Sequence, residues 1–273
     1  MWKNESTLEV VLVAADILIL RPFNGVFFGS LFLFAALFAG LSVLLRKRSE
    51  DARRKTLAGL MLFTLVGFIV YKYFLFIDED YSAIAAAAGM GGFSWWSELP
   101  LQLCNINTIL IPIAMFTKRR PLESFCFFMA PLGAAMALAM PSYGFDCYSI
   151  LLPRMLGFYF THFMVFFGGI ALWSFGIYKP TFKDLLPTIL LAFCLTLGIF
   201  CINMLMRLTG VNPHANYFYC VETEGNPILA LFYRWIPVPF LYTIPCTLIL
   251  VPYMLLVTSL FHLPRRKKAE VSV

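Results

Sequence analysis

The sequence predicts an all-α fold, a polytopic membrane bundle of seven transmembrane helices with the N-terminus out and the C-terminus in. Three observations carry that prediction. The first is composition. The 273 residues are 60% hydrophobic, 17% aromatic and only 13% charged, where an ordinary soluble domain carries about 25% charged residues. Mean hydropathy is +0.80. The second is segment length. The apolar residues fall into runs of about 20, each long enough to cross about 30 Å of hydrocarbon. The third is charge placement. The loops after spans one, three, five and seven hold fifteen Lys/Arg, against five on the other side. Positive charge of that asymmetry marks the cytoplasmic side.

The elements follow in order. Residues 1–24 read as an interfacial N-terminal segment. Its apolar part, 7–20, is too short to span and is broken by Glu9 and Asp16. It lacks the basic start and small-residue cleavage site of a signal peptide. Residues 25–262 read as the seven-helix transmembrane domain. Span one, 25–45, ends at the basic loop from Arg46 to Lys55. Span two, 57–77, carries Lys72 between Tyr71 and Tyr73. An acidic, Ala/Gly-rich loop follows and ends in Trp95-Trp96, a pair suited to the membrane interface. Span three, 98–117, places Pro100 in its first turn, where a missing N–H is no loss. Span four covers 122–140, and a loop with Tyr143 and Asp146 follows it. Spans five and six cover 154–177 and 185–206. A long polar loop, 207–234, precedes span seven at 236–262. Residues 263–273 read as a basic cytoplasmic tail.

Several functions are disfavoured. The basic residues sit in loops and the tail rather than on one face, so nucleic acid is not an expected partner. No internal repeat is visible, which weighs against a transporter of duplicated halves. The seven Cys are scattered, with no CxxC and no zinc-type spacing. No metal or cofactor is expected. There is no G-x-S-x-G, P-loop or H-E-x-x-H, and no acid lies deep in a span. Cys147 and Cys220 fall in loops on one side, where an oxidising compartment would allow a disulfide.

What remains is a polar layer. Cys104 lies about six residues into span three, roughly 9 Å deep, and His162 about eight into span five, roughly 12 Å deep. Lys72 and Asn203 reach similar depth on spans two and six. Polar residues inside a bilayer tend to face a protein interior or a cavity. Asn107 follows Cys104 by three residues and shares its helix face. A thiol beside an imidazole is the pattern of nucleophilic catalysis. Gln102, Asn107 or Asn203 would then donate to an oxyanion, and Lys72, Arg154 or Arg207 would hold a lipid phosphate. Each residue also has a plainer reading. Free Cys is among the most buried residue types, an intramembrane His can simply bond across helices, and a Lys near a helix end can snorkel. Cys126, Cys194, Cys201 and Cys246 read as packing residues, while His214 and His262 read as solvated and interfacial.

The segment Leu99-Pro100-Leu101-Gln102-Leu103-Cys104-Asn105-Ile106-Asn107 resembles the LPLHLC motif of the YwaF-like integral membrane proteins. Phe160-Thr161-His162 resembles their histidine motif, and Asn216-Tyr217 their NY motif before the last helix. The resemblance covers about 57–262. It implies a relationship to vertebrate phospholipid acyltransferases that make polyunsaturated ether phospholipids, on a fold similar to intramembrane Thr–His lipid hydrolases. By that resemblance Cys104 is the nucleophile and His162 the base, with Asn216 and Tyr217 near the substrate. Gln102 stands where many bacterial members have His, so no second base is carried over there. The expected function is acyl transfer between phospholipids through a Cys thioester, with phospholipids or lysophospholipids as partners. The expected location is a bacterial plasma membrane. The alternatives are a non-enzymatic lipid or small-molecule binding or transport protein, and a lipid hydrolase.

Overall fold

The computed structural model describes residues 18–87, 93–142 and 144–263. Most of the N-terminal segment, Tyr143 and the tail beyond Leu263 lie outside the described residues. The chain forms α1 (Gly25–Leu45), α2 (Glu50–Phe76), α3 (Glu79–Ala87), α4 (Leu103–Thr117), α5 (Arg120–Ala139), α6 (Pro153–Ser174), α7 (Leu185–Leu208), α8 (Pro227–Trp235) and α9 (Thr247–His262). Two-residue strands β1 (Ile19–Leu20) and β2 (Tyr148–Ser149) pair antiparallel. The protein is thus an all-α, multi-pass membrane bundle. Six helical stretches are long and apolar enough to cross a membrane, and α4 is a shorter apolar helix among them.

Four helices form the centre. α2 packs on α4 and α6, α5 packs on the same two, and α4 and α6 also touch. α1 lies against α6, and α7 against α5. Burial divides centre from rim: 78% of the apolar window of α6 is buried in protein, against 6% for α1. Large apolar side chains such as Phe32, Leu44 and Leu186 stay exposed on the rim, as a lipid-facing surface requires.

Small residues on α6 set how closely the centre closes. A Cβ at Gly157 would lie 2.2 Å from Tyr71 Cβ on α2, and one at Gly169 would lie 2.5 Å from Pro131 Cδ on α5. Backbones approach at such positions because van der Waals packing drives helix association in lipid.

Several boundaries differ from the sequence expectation, each for a local reason. α2 starts at Glu50 rather than 57, because the Ser49 side chain accepts from Ala52 N and Glu50 and Asp51 occupy its first turn. Arg54 is therefore helical. It bonds Glu50 at 2.7 Å and Glu123 of α5 at 2.6 Å. So a carboxylate, Glu123, is buried at a span end after all. α4 begins at Leu103 rather than 98, with Pro100 in the preceding turn. The loop after α2 contains α3, and the last loop contains α8, started by Asn226 and Pro227. The final span opens with a 3-10 turn, Leu241–Cys246. Residues 19–20, expected at the end of an interfacial helix, are a strand.

Candidate functional site

α2 finishes where α4 and α6 begin, and the polar layer lies at that end of the four central helices. α4 enters it by an unusual N-terminus. Gln102 is the N-cap residue, yet its side chain makes no cap bond. Instead Gln102 Oε1 accepts from Phe218 N at 2.9 Å, tying the last loop to the start of α4. The first backbone N–H groups of a helix have no intrahelical partner. Those of Leu103, Cys104 and Asn105 meet no acceptor among the described residues. Cys104 is the second residue of the helix, so its side chain leaves the chain within this uncapped first turn. A helix N-terminus carries partial positive charge. The sulfur therefore sits beside an array of donors rather than six residues down a span. α5 packs closely on this turn, since a Cβ at Gly133 would lie 3.3 Å from Leu103 Cγ.

His162 projects from α6 and is 3% exposed. Its Nδ1 is 2.7 Å from Phe158 O, one turn back, and Phe158 also packs against the ring. A carbonyl partner makes Nδ1 the protonated nitrogen and leaves the Nε2 lone pair available. No hydrogen bond joins Cys104 Sγ to His162 among the described residues. Lys72 of α2 lies within electrostatic range of both Cys104 and His162. Lys72 is 6% exposed and forms an ion pair with Glu98. Its ammonium also sits 4.5 Å from the Tyr71 ring centroid. It is thus a buried, paired cation and not a snorkelling one.

The other expected residues divide. Asn107 Nδ2 donates to Leu103 O at 2.7 Å, and its Oδ1 is buried without a partner among the described residues. Asn203 holds the last loop: Oδ1 accepts from Tyr217 N at 3.0 Å, and Nδ2 donates to Tyr217 O at 2.9 Å and to Cys220 Sγ at 3.1 Å. Asn216 is equally occupied, accepting from Val221 N and Glu222 N and donating to Glu222 O and Glu224. Tyr217 is buried, with no hydrogen bond to its hydroxyl among the described residues. These three shape a loop that comes down on α4. Arg154 pairs with Asp78 at 2.6 Å and packs on Tyr148, so its charge is matched inside the protein. Arg207 pairs with Glu222 at 2.8 Å.

Cys147 and Cys220 are both free. Cys147 is exposed, while Cys220 is buried on Asn203. Burial pushes the Cys220 thiol up to about 11. His214 is exposed, and His262 stacks on Phe182.

Three residues at this site escaped sequence reasoning. Glu98 is the partner of Lys72, 26 positions away. Asn105, with an unpartnered buried Oδ1, was visible within the motif but had no distinguishing signal. Tyr219 lies within electrostatic range of Cys104 and follows the Asn216-Tyr217 pair. No group of three or more His, Cys, Asp or Glu suited to a metal occurs among the described residues.

No curated protein and no solved structure matches this chain. A central four-helix bundle with Cys104 at the mouth of α4 and the loop of Asn216 above it lies within the stretch that one family model does match. That match runs over residues 23–258, and the chain belongs to the TMEM164 family of membrane proteins.

Proposed function

We propose that the protein is a membrane lipid acyltransferase in which Cys104 carries the acyl group and His162 moves the proton. The observation that carries this is the setting of Cys104: a thiol at an uncapped helix N-terminus, facing a central bundle in which α6 supplies an imidazole with Nε2 unengaged. The chemistry runs in two halves. Nε2 takes the thiol proton as Sγ attacks the ester carbonyl carbon of a phospholipid. The carbonyl oxygen becomes an oxyanion, for which the free N–H groups of Leu103, Cys104 and Asn105 and the Gln102 amide are the candidate donors. The ester C–O bond breaks, the imidazolium gives its proton to the departing lysolipid oxygen, and a Cys104 thioester remains. A second lipid hydroxyl then loses its proton to Nε2 and attacks the thioester carbon. The sulfur leaves and recovers the proton.

No hydrogen bond joins Cys104 to His162 among the described residues, so acyl transfer requires that bond to form in the substrate complex. Such bonds often tighten only in the complex. The positive-inside count puts this end of the bundle on the outer side, away from cytosolic acyl-CoA. A phospholipid is therefore the proposed donor, and the host membrane a bacterial plasma membrane. A Cys104→Ala protein reconstituted in phospholipid vesicles should lose all acyl exchange above background. Unchanged exchange would end the proposal.

A second reading, lipid binding without chemistry, draws on the buried unpartnered acceptors Asn105 Oδ1, Asn107 Oδ1 and Thr161 Oγ1. They would suit a polar headgroup and need no reactive thiol. Hydrolysis is the third outcome, recognised by free fatty acid in place of a transferred chain.

A further inference from the structure

The opposite end of the bundle carries a feature that acyl transfer leaves unused. Where α1 and α6 finish, a cleft of about 320 Å³ opens between them and the start of α2. Ser42, Arg46, Arg53, Ser174, Phe175 and Gly176 line it, together with Val43. No acid is among these residues. Neither Arg46 nor Arg53 has a carboxylate within 4.0 Å among the described residues, whereas the buried cations Arg54, Lys72 and Arg154 are all paired. Arg53, half-buried and unmatched, differs from those three, while Arg46 is exposed and unpaired among the described residues, as Arg48 and Arg119 are.

The cleft is shaped around Arg53. Its Nη1 donates to Phe175 O at the end of α6. Its Nε is buried without a partner among the described residues. Gly176 takes φ +69°, and a Cβ there would lie 2.6 Å from Arg53 Nη1. A side chain at that position would displace the guanidinium. Ser42 Oγ donates to Phe38 O at 2.7 Å, so the 2.9 Å bond between the two serines is made by the Ser174 hydroxyl, which donates to Ser42 Oγ. The cleft thus presents two guanidiniums, with Val43 and Phe175 as apolar walls.

The carbonyl ends of α1 and α6 meet here and oppose an anion, each with roughly half a negative charge. Arg53 caps one of them. Two full positive charges outweigh the two half charges, so the cleft stays net positive. Arg is suited to phosphate because its planar fork matches the oxygens. Basic pockets between transmembrane helices bind anionic headgroups. Beyond the cleft, the rim of α1 exposes Leu33, Leu37, Val43 and Leu44, a surface on which acyl chains can lie.

We propose that the cleft between the ends of α1 and α6 binds a phosphate group, carried by an anionic membrane lipid whose chains run along α1. It is independent of Cys104 chemistry, so Cys104→Ala protein should bind the same lipid. The test is native mass spectrometry of the full-length protein in detergent, titrated with phosphatidic acid, with phosphatidylcholine and with diacylglycerol. Phosphatidic acid should be retained over diacylglycerol. Arg46→Gln, at an exposed position that folding tolerates, should lower retention about tenfold. Arg48→Gln, in the same loop but not lining the cleft, should leave it unchanged. Arg53→Gln is the less clean variant because it also uncaps α6. Millimolar inorganic phosphate added as competitor separates the two sources: displacement assigns recognition to the phosphate alone, and persistence assigns it to phosphate plus chains. Equal loss in Arg46→Gln and Arg48→Gln means diffuse surface charge and overturns the site. So does equal retention of diacylglycerol, or an Arg46→Gln protein that binds like the parent.

Discussion

At the scale of single residues, Cys104 differs from the other cysteines by lying in the uncapped first turn of a helix, whereas Cys246, at the start of α9, continues a 3-10 turn. Cys126 is buried in the apolar core, Cys220 is held by Asn203, and Cys194 and Cys201 face outward on the rim helix α7. A lipid-like thiol probe should therefore modify Cys104 faster than any of these. If His162 is the base, His162→Gln should slow that labelling and lower acyl exchange by about 10²–10⁴-fold. Peptide mapping after brief labelling checks the first claim, and exchange in vesicles the second. Lys72 makes a separate prediction. Removing one partner of a buried ion pair strands the other, at a cost of about 3–5 kcal/mol. Glu98 is 18% exposed at its side chain, so Glu98→Gln should fall at the lower end, about 3 kcal/mol. Thermal unfolding in micelles measures it, and a stability equal to the parent would mean that solvent already screens the pair.

At the scale of elements, the site depends on how closely α2 and α6 approach. Gly157 is the contact that decides this, because a Cβ there would overlap the Tyr71 Cβ. Lys72 is next to Tyr71 on α2, and His162 lies five residues beyond Gly157 on α6. Gly157→Ala should therefore destabilise by at least the ~1–3 kcal/mol of ordinary overpacking, and it should also lower exchange by moving Lys72 away from His162. Gly59 provides the control. It lies on the same helix α2, and nothing is within 4 Å of a Cβ built on it, so Gly59→Ala should be neutral or slightly stabilising. Melting temperatures of the two variants, compared in one detergent, settle the difference.

At the scale of the molecule, the loop charges predict which side each end faces. The loop with Cys147 lies at the same end as Glu98 and Asp78, through the Arg154–Asp78 pair. Cys147 is exposed, so a membrane-impermeant maleimide added outside intact cells should label it. Labelling only after the cells are opened would reverse the orientation and undercut the choice of a phospholipid donor. How much of this was legible in the sequence also sorts by scale. The bundle class was legible, because apolar length and composition act segment by segment and need no partner. So were most span positions: α1 runs 25–45 as expected, and α5, α6 and α7 begin within a few residues of expectation. The helices in the two loops, α3 and α8, were not, since short polar helices carry little periodicity. Among the site residues, Cys104, His162 and Lys72 stood out because polar groups are costly in lipid. Asn203 and Asn216 stood out for the same reason or by resemblance, yet what they do is hold a loop.

By itself the sequence determined that the chain crosses a membrane several times, and which few polar residues the crossing would have to shelter. Both follow from transfer free energies that each segment carries alone. Tertiary structure decided the pairings: Lys72 with Glu98, Arg154 with Asp78, Arg54 with Glu123, and Asn203 with the turn at Tyr217. It also decided that the first turn of α4 is uncapped, because the Gln102 side chain is drawn to Phe218 N instead of capping its own helix. Partners 14 to 116 positions apart leave no local pattern, since a hydrogen bond depends on where two segments meet and not on the residues between them.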